Sequence, residues 1–231
     1  MIKVKSDLHT LIWGTENWFN PDKPFEKLLF KIIVANDKLS VQVHPDDAYA
    51  AEHEGTLGKT EMWYILDAKP GAQLVYGLKD GVTKKDFEEA IGKGTVEETL
   101  NFVDAHKGDI FFISPGLVHA LGAGITLAEL QENVALTYRV YDYDRQPPRE
   151  LHIAKALDVL TEGSGKLIDG GSLKCDYFSF KEWDVLGEMT AKEDCLIYAV
   201  YGDFGDLEVG ELFQVNKGER IFGNGKVLIM K

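Results

Sequence analysis

Two histidines, a glutamate and a glutamine stand in strand-like segments of this chain, in a pattern suited to holding a divalent cation. Gln42 and His44 belong to Leu39-Ser40-Val41-Gln42-Val43-His44, where polar and apolar residues alternate strictly. Successive strand side chains point to opposite faces, so Ser40, Gln42 and His44 share one face and Leu39, Val41 and Val43 the other. Glu61 sits between Lys59-Thr60 and Met62-Trp63-Tyr64, and His119 follows a Pro115-Gly116 turn. One amide oxygen, one carboxylate and two imidazoles suit zinc and also tolerate manganese, cobalt or iron. Taken singly, each residue has a plainer use, since a histidine in a strand is more often hydrogen-bonded than metal-bound. Their surroundings join them.

Two further residues share this character. In Leu127-Ala128-Glu129-Leu130-Gln131 the alternation places Leu127, Glu129 and Gln131 on one face, and in Thr137-Tyr138-Arg139-Val140-Tyr141 it places Thr137, Arg139 and Tyr141 together. On the residues alone Glu129 reads as an ordinary acid on a strand surface, and Arg139 as an exposed strand cation or the partner of Asp142 or Asp144. A guanidinium, fixed in charge, can donate paired hydrogen bonds to an enediolate or a phosphate.

Such groups need rigid carriers. The 23 glycines punctuate short apolar or alternating runs, as in antiparallel β proteins. Strands are expected at 28–35, 39–44, 61–66, 72–76, 109–113, 126–131 and 135–140, lengths and spacings that fit a sandwich or barrel. Helical insertions are expected after His44-Pro45, where acidic residues 46, 47 and 52 lie; from Thr83, with Asp86 in capping-box spacing; at Thr95, with Glu98; and over 149–160, where Leu151, Ala154, Leu157 and Leu160 recur every third residue. From about Gly163 glycines loosen the chain and no histidine follows His152. The division expected is therefore a metal-binding domain over residues 1–162 and a smaller β module over 163–231.

The chain of 231 residues is long enough to bury a sizeable core. Its net charge of -13 argues against a broad electrostatic footprint for nucleic acid or an anionic membrane. No apolar run approaches the roughly 20 residues needed to cross a bilayer. The first residues lack the apolar stretch of a signal peptide, which makes the cytoplasm the expected address. Two cysteines give no disulfide framework and are expected to be reduced.

Residues 108–119, a strand followed by a Pro-Gly turn and His119, resemble the second motif of the cupin superfamily, whose histidine binds metal in a small β-barrel. The resemblance narrows with Ser-Val-Gln-Val-His-Pro-Asp-Asp, Gly-Lys-Thr-Glu-Met-Trp-Tyr, Gly-x-Val-His-Ala and Thr-Tyr-Arg-Val-Tyr-Asp-Tyr-Asp-Arg in this order. Together they are similar to type I mannose-6-phosphate isomerases of the short bacterial kind, over about residues 28–160.

That resemblance implies a mainly β fold, a cupin-type antiparallel barrel or jelly roll with a few short helices. It implies Zn2+ held by Gln42, His44, Glu61 and His119. It also implies interconversion of mannose 6-phosphate and fructose 6-phosphate through a cis-enediol, with Glu129 as the active-site carboxylate and Arg139 stabilising the intermediate. Lys59 would contact phosphate or a sugar hydroxyl, and Ser40 would lie near the substrate. Trp13-Gly14 resembles an early family signature, yet a segment that normally follows it is missing. An isomerase of another sugar phosphate, or a metal cupin that binds sugar without turnover, are the alternatives the shortened wall leaves open.

Overall fold

The computed structural model describes residues 1–231 and consists of three antiparallel sheets with helices outside them. The central sheet has six strands in the order Ser6–Leu11, Gly14–Phe19, Leu28–Ala35, Ile125–Glu132, Glu61–Ala68 and Ile110–Ile113. A second sheet runs Tyr138–Tyr141, Val41–Val43, His119–Ala120, Gln73–Leu78 and Leu100–Asp104. The third contains Ile2–Lys3 and the C-terminal strands from Ser172–Lys174 to Arg220–Met230.

Strand periodicity sets the layers. In Ile125–Glu132, Leu127 packs with Ile33, Ile65, Leu74 and Tyr76 between the first two sheets, while Ala128 and Leu130 pack with Phe180, Leu196, Tyr198 and Leu228 of the third. This strand is therefore covered on both faces, which explains why it reads as an almost unbroken buried run. The outer face of the second sheet, with Val41, Val43, Tyr138 and Val140, is covered by Phe87 of the helix Lys84–Lys93 and by Ala156 and Leu157 of the helix Ile153–Val159. Gln42 and Arg139, each between two residues of that outer core, necessarily point inward. The outcome is the mainly β barrel expected from the sequence.

Because Met62, Tyr64, Ala128 and Leu130 share one apolar cluster with the C-terminal strands, residues beyond Gly163 complete a core that the barrel begins. A polar clamp accompanies it, with Tyr64 Oη and Lys226 Nζ both donating to Glu182 Oε2 at 2.9 Å.

The local elements follow their capping chemistry. Asp46 caps the helix Asp47–His53 by accepting from the Tyr49 backbone N–H at 2.8 Å. Thr83 and Asp86 form a reciprocal capping box. Thr95-x-x-Glu98 instead starts only a 3-10 turn, Val96–Thr99, with no side-chain cap, since a strand begins at Leu100. The helix expected over 149–160 is confined to Ile153–Val159, and an N-terminal hairpin over residues 6–19 was not expected at all.

Candidate metal centre and active-site cavity

The second sheet brings the two histidine strands together. His119 is the register partner of Gln42, and Gln42 is in turn the partner of Arg139. On the facing sheet, Gln131 pairs with Glu61 and Glu129 with Trp63. Gly58 lets the chain before Glu61 settle on the start of the first helix, for a Cβ there would lie 2.6 Å from the Pro45 carbonyl oxygen. Asp47 Oδ1 accepts the Gly58 N–H, and Glu132 Oε2 accepts the Thr60 N–H at 2.9 Å. Behind His119, Gly116 takes φ +86° in the turn and packs its α-carbon side against Thr161, so no side chain fits there.

Ligating atoms of His44, Glu61 and His119 all lie within 4.8 Å of one another, and all three side chains are buried. His44 Nε2 is 3.6 Å from Glu61 Oε2 and His119 Nε2 is 3.5 Å from Glu61 Oε1. Each imidazole donates from Nδ1 to a backbone carbonyl, Leu136 and Leu117 respectively, at 2.8 Å. That fixes the tautomer and turns both Nε2 lone pairs toward the carboxylate. The Gln42 amide lies 3.3 Å from His119 Nε2 and offers an oxygen in one of its two orientations.

Electrostatics prepare these groups as ligands. Burial, reinforced by the Lys59 charge, lowers His44 to about 3, and burial also lowers His119. Both rings are thus neutral at pH 7. Burial pushes Glu61 upward, but the Lys59 ammonium outweighs it and holds the carboxyl well below its usual range. His44 Nε2 and both Glu61 oxygens have no hydrogen-bond partner, although Lys59 Nζ approaches Oε2 to 2.7 Å outside hydrogen-bonding geometry. Buried polar atoms are rarely left so, and a cation among them supplies the missing partner. The donor set fits a divalent metal.

Gln42 and Lys59, which touch this cluster, line an adjacent cavity of about 460 Å³ whose walls also include Ser40, Glu129 and Arg139, while His44, Glu61 and His119 lie buried behind that lining. Glu129 accepts from Lys31 Nζ at 2.7 Å and from Trp63 Nε1 at 2.9 Å. Lys31 also donates to Gln131 Oε1 at 2.6 Å. Arg139 donates from Nε to Ser40 Oγ at 3.2 Å and from Nη1 to the Glu150 carbonyl at 2.9 Å. Asp142, a neighbour that could have paired with Arg139, instead accepts two bonds from Arg149. Lys59 is buried at the Glu61 end of the cavity.

Sequence reasoning missed three lining features. Lys31 sits inside an otherwise apolar strand, a break in pattern that marks a buried charge with a partner. Trp13, Glu16 and Trp18 of the N-terminal hairpin wall one side, with the buried Glu16 carboxylate accepting from both indole N–H groups. His152 lines the far side. The hairpin pairs directly with Leu28–Ala35, which holds it against the cavity.

A mannose-6-phosphate isomerase of Streptococcus mutans is 37% identical over 212 residues, covering 84% of this chain and 67% of that protein. One from Bacillus subtilis is 38% identical over 215 residues, covering 84% and 68%. The chain belongs to the mannose-6-phosphate isomerase family. It spans about two thirds of the length of these relatives. The crystal structure of the mannose 6-phosphate isomerase from Bacillus subtilis superposes with a TM-score of 0.88 at 28% identity, covering 100% of this chain and 99% of that one. A phosphomannose isomerase variant from Salmonella typhimurium, at 13% identity and a TM-score of 0.73, shares the fold. No family model matches the chain. In this member of the mannose-6-phosphate isomerase family His44, Glu61 and His119 form a group that could hold a metal ion, and no helix is long and apolar enough to cross a membrane.

Proposed function

We propose that this chain interconverts mannose 6-phosphate and fructose 6-phosphate by moving a proton between C1 and C2 of the open-chain sugar. The observation that carries this reading is a buried pair of neutral imidazoles with an ionised carboxylate, next to a cavity lined by two buried glutamates, two lysines and two arginines.

Gln42, His44, Glu61 and His119 would hold the metal, and zinc is the ion this mixed nitrogen and oxygen set suits best. When bound, a divalent ion polarises sugar oxygens and lowers the cost of negative charge on them. Glu129 is the carboxylate placed to accept the carbon-bound proton. Its carboxylate is fixed in direction by Lys31 and Trp63, and an ionised carboxylate retains lone pairs beyond those two bonds. Arg139, turned inward beside Gln42 and without a carboxylate partner, stabilises charge on the intermediate. Lys59, tied to Glu61, contacts a sugar oxygen at the metal end, and Ser40 orients Arg139. The ligand is a small sugar phosphate, and the acidic composition of the chain fits an enzyme of the cytoplasm.

A coupled assay of the zinc-loaded chain on fructose 6-phosphate in deuterium oxide tests the reading. Formation of mannose 6-phosphate with deuterium at C2 is expected. Absence of both turnover and exchange overturns it.

A further inference from the structure

The cavity wall contains a row of four side chains that crosses four neighbouring backbone segments. His119 pairs with Gln42, Gln42 pairs with Arg139, and Arg139 is paired through both of its backbone groups with His152. The last link is made by the His152 N–H donating to the Arg139 carbonyl at 2.7 Å and by the Arg139 N–H donating to His152 Nδ1 at 3.2 Å. Adjacent strands lie about 4.8 Å apart, so two steps carry the row about 10 Å from Gln42, at the metal cluster, to His152. An open-chain hexose with a phosphate on its sixth carbon has a similar reach from the carbonyl end to phosphorus.

The cations along that wall are not equivalent. Lys31 is paired with Glu129, Lys59 with Glu61 and Arg149 with Asp142, so what distinguishes the far end is the set of donors left over from such pairs. At the far end, Arg149 gives Nε and Nη2 to Asp142, which leaves its Nη1 free, and its guanidinium lies over the Trp13 ring at 4.8 Å. Arg139 has no carboxylate bonded to it. Because His152 Nδ1 accepts a backbone N–H, the ring proton is on Nε2. Its nearest carboxylate oxygen, Glu150 Oε2, is 3.9 Å away on a side chain 83% exposed, beyond hydrogen-bonding reach. Arg149, His152 and Arg139 all line the cavity.

We infer that His152 and Arg149 form the seat for the substrate's phosphate, with Arg139 between them and the metal end, and that the cross-strand row from His119 to His152 sets which chain length fits between metal and phosphate. This rests on the isomerase reading for the identity of the sugar, but the anion seat is tested apart from turnover. His152 is a specificity residue for the phosphate end. The proton on Nε2, held in place by the Nδ1 bond to Arg139, is the group that meets the phosphate oxygen.

The test uses the metal-loaded full chain and two substitutions that divide the ring's two functions. His152→Asn keeps an acceptor near Nδ1 and removes the Nε2 donor, whereas His152→Gln keeps a donor near Nε2. Inorganic phosphate binding is measured by calorimetry, and KM and kcat are measured with mannose 6-phosphate and with unphosphorylated mannose. In His152→Asn, phosphate affinity falls and the KM for mannose 6-phosphate rises by about tenfold, the usual loss of one hydrogen bond to a charged group. The kcat is retained, kcat/KM for unphosphorylated mannose is unchanged, and His152→Gln recovers part of the phosphate affinity. Phosphate affinity within twofold of wild type in His152→Asn overturns the proposal, as does an equal loss on phosphorylated and unphosphorylated sugar. Calorimetry with phosphate decides the matter even if the wild-type chain turns out not to isomerise mannose 6-phosphate. Circular dichroism and metal content of both variants establish that the fold and the cluster are intact, and Arg149→Lys, which breaks the fork to Asp142, must weaken phosphate binding in the same direction.

Discussion

Lys59 Nζ lies 2.7 Å from Glu61 Oε2, and both side chains are buried at the closed end of the cavity. The Lys59 charge thereby keeps the Glu61 carboxylate ionised, the state the proposed metal site requires. Replacing Lys59 by Ala should leave metal content near stoichiometric, because all four proposed ligands remain, while kcat falls by about 10²–10³, the usual loss when one preorganised charged donor is removed. Elemental analysis with steady-state kinetics checks both halves. A kcat within tenfold of wild type would place Lys59 outside the reaction.

Glu61 is the carboxylate shared between both imidazoles. Glu61→Gln and His119→Ala should lose bound metal and activity together while keeping the β-rich circular dichroism of the wild type. Dialysis against a chelator should do the same to the unaltered chain and lower its thermal midpoint, since a ligand that binds only the native state stabilises it by mass action. Return of activity with zinc, and weaker return with manganese or cobalt, is the expected order. Undiminished activity after complete metal removal would sink the metal assignment.

Lys31 and Glu129 form a buried pair across adjacent strands. Breaking such a pair from one side leaves an uncompensated buried charge and costs about 3–5 kcal/mol, whereas replacing both partners by apolar residues costs far less. Lys31→Met should therefore destabilise the chain more than the double variant Lys31→Met with Glu129→Leu, and activity should be absent from both. Urea unfolding of the four members of the cycle measures the coupling. Additive destabilisation would show that the two charges are not energetically joined.

Leu130 is fully buried where the central sheet meets the C-terminal strands. Leu130→Ala should cost about 2–5 kcal/mol. Since the cluster is common to the barrel and to residues beyond Gly163, unfolding should remain a single transition shifted to lower temperature. Two separated transitions in calorimetry would mean that the C-terminal module is energetically independent.

Cys195 is 3% exposed, and burial, the dominant cause, raises its thiol to about 11. A thiol raised above its ordinary 9 favours the native state below pH 9, and that advantage is lost as pH rises through about 11. At pH 8 the native chain should react with a thiol reagent at Cys175 at most, with the second equivalent appearing only on denaturation. Two fast equivalents from native protein would contradict the burial.

Much of the barrel is legible in the sequence because its strands carry strong local patterns. Leu28–Ala35 and Glu61–Ala68 are long and apolar, and alternation groups Gln42 with His44, Glu129 with Gln131 and Arg139 with Thr137 on shared faces, though only the packing of the sheets shows that these faces turn inward. The N-terminal hairpin was not legible, because Ser6–Leu11 is exposed at most positions and has no buried face to impose alternation. Residues 149–152 looked helical, yet the Arg149 bond to Asp142 and the His152 pairing with Arg139 draw them out along Tyr138–Tyr141. The four metal-ligand candidates were found because each lies in a distinctive string. Lys31, Glu16 and His152 escaped because their neighbours in space are remote in sequence, and single-chain periodicity carries no signal for that.

The outermost strand, Ser6–Leu11, has only one neighbour and supports the strand that carries Glu16 and Trp18. Such margins fray at free energies well under that of whole-molecule unfolding. Warming should then unlatch this flank of the reaction chamber while the metal cluster, enclosed deep in the barrel, is still intact. Heat inactivation would begin as a reversible leak of solvent onto the substrate, several degrees before the far-ultraviolet signal of the sheets declines.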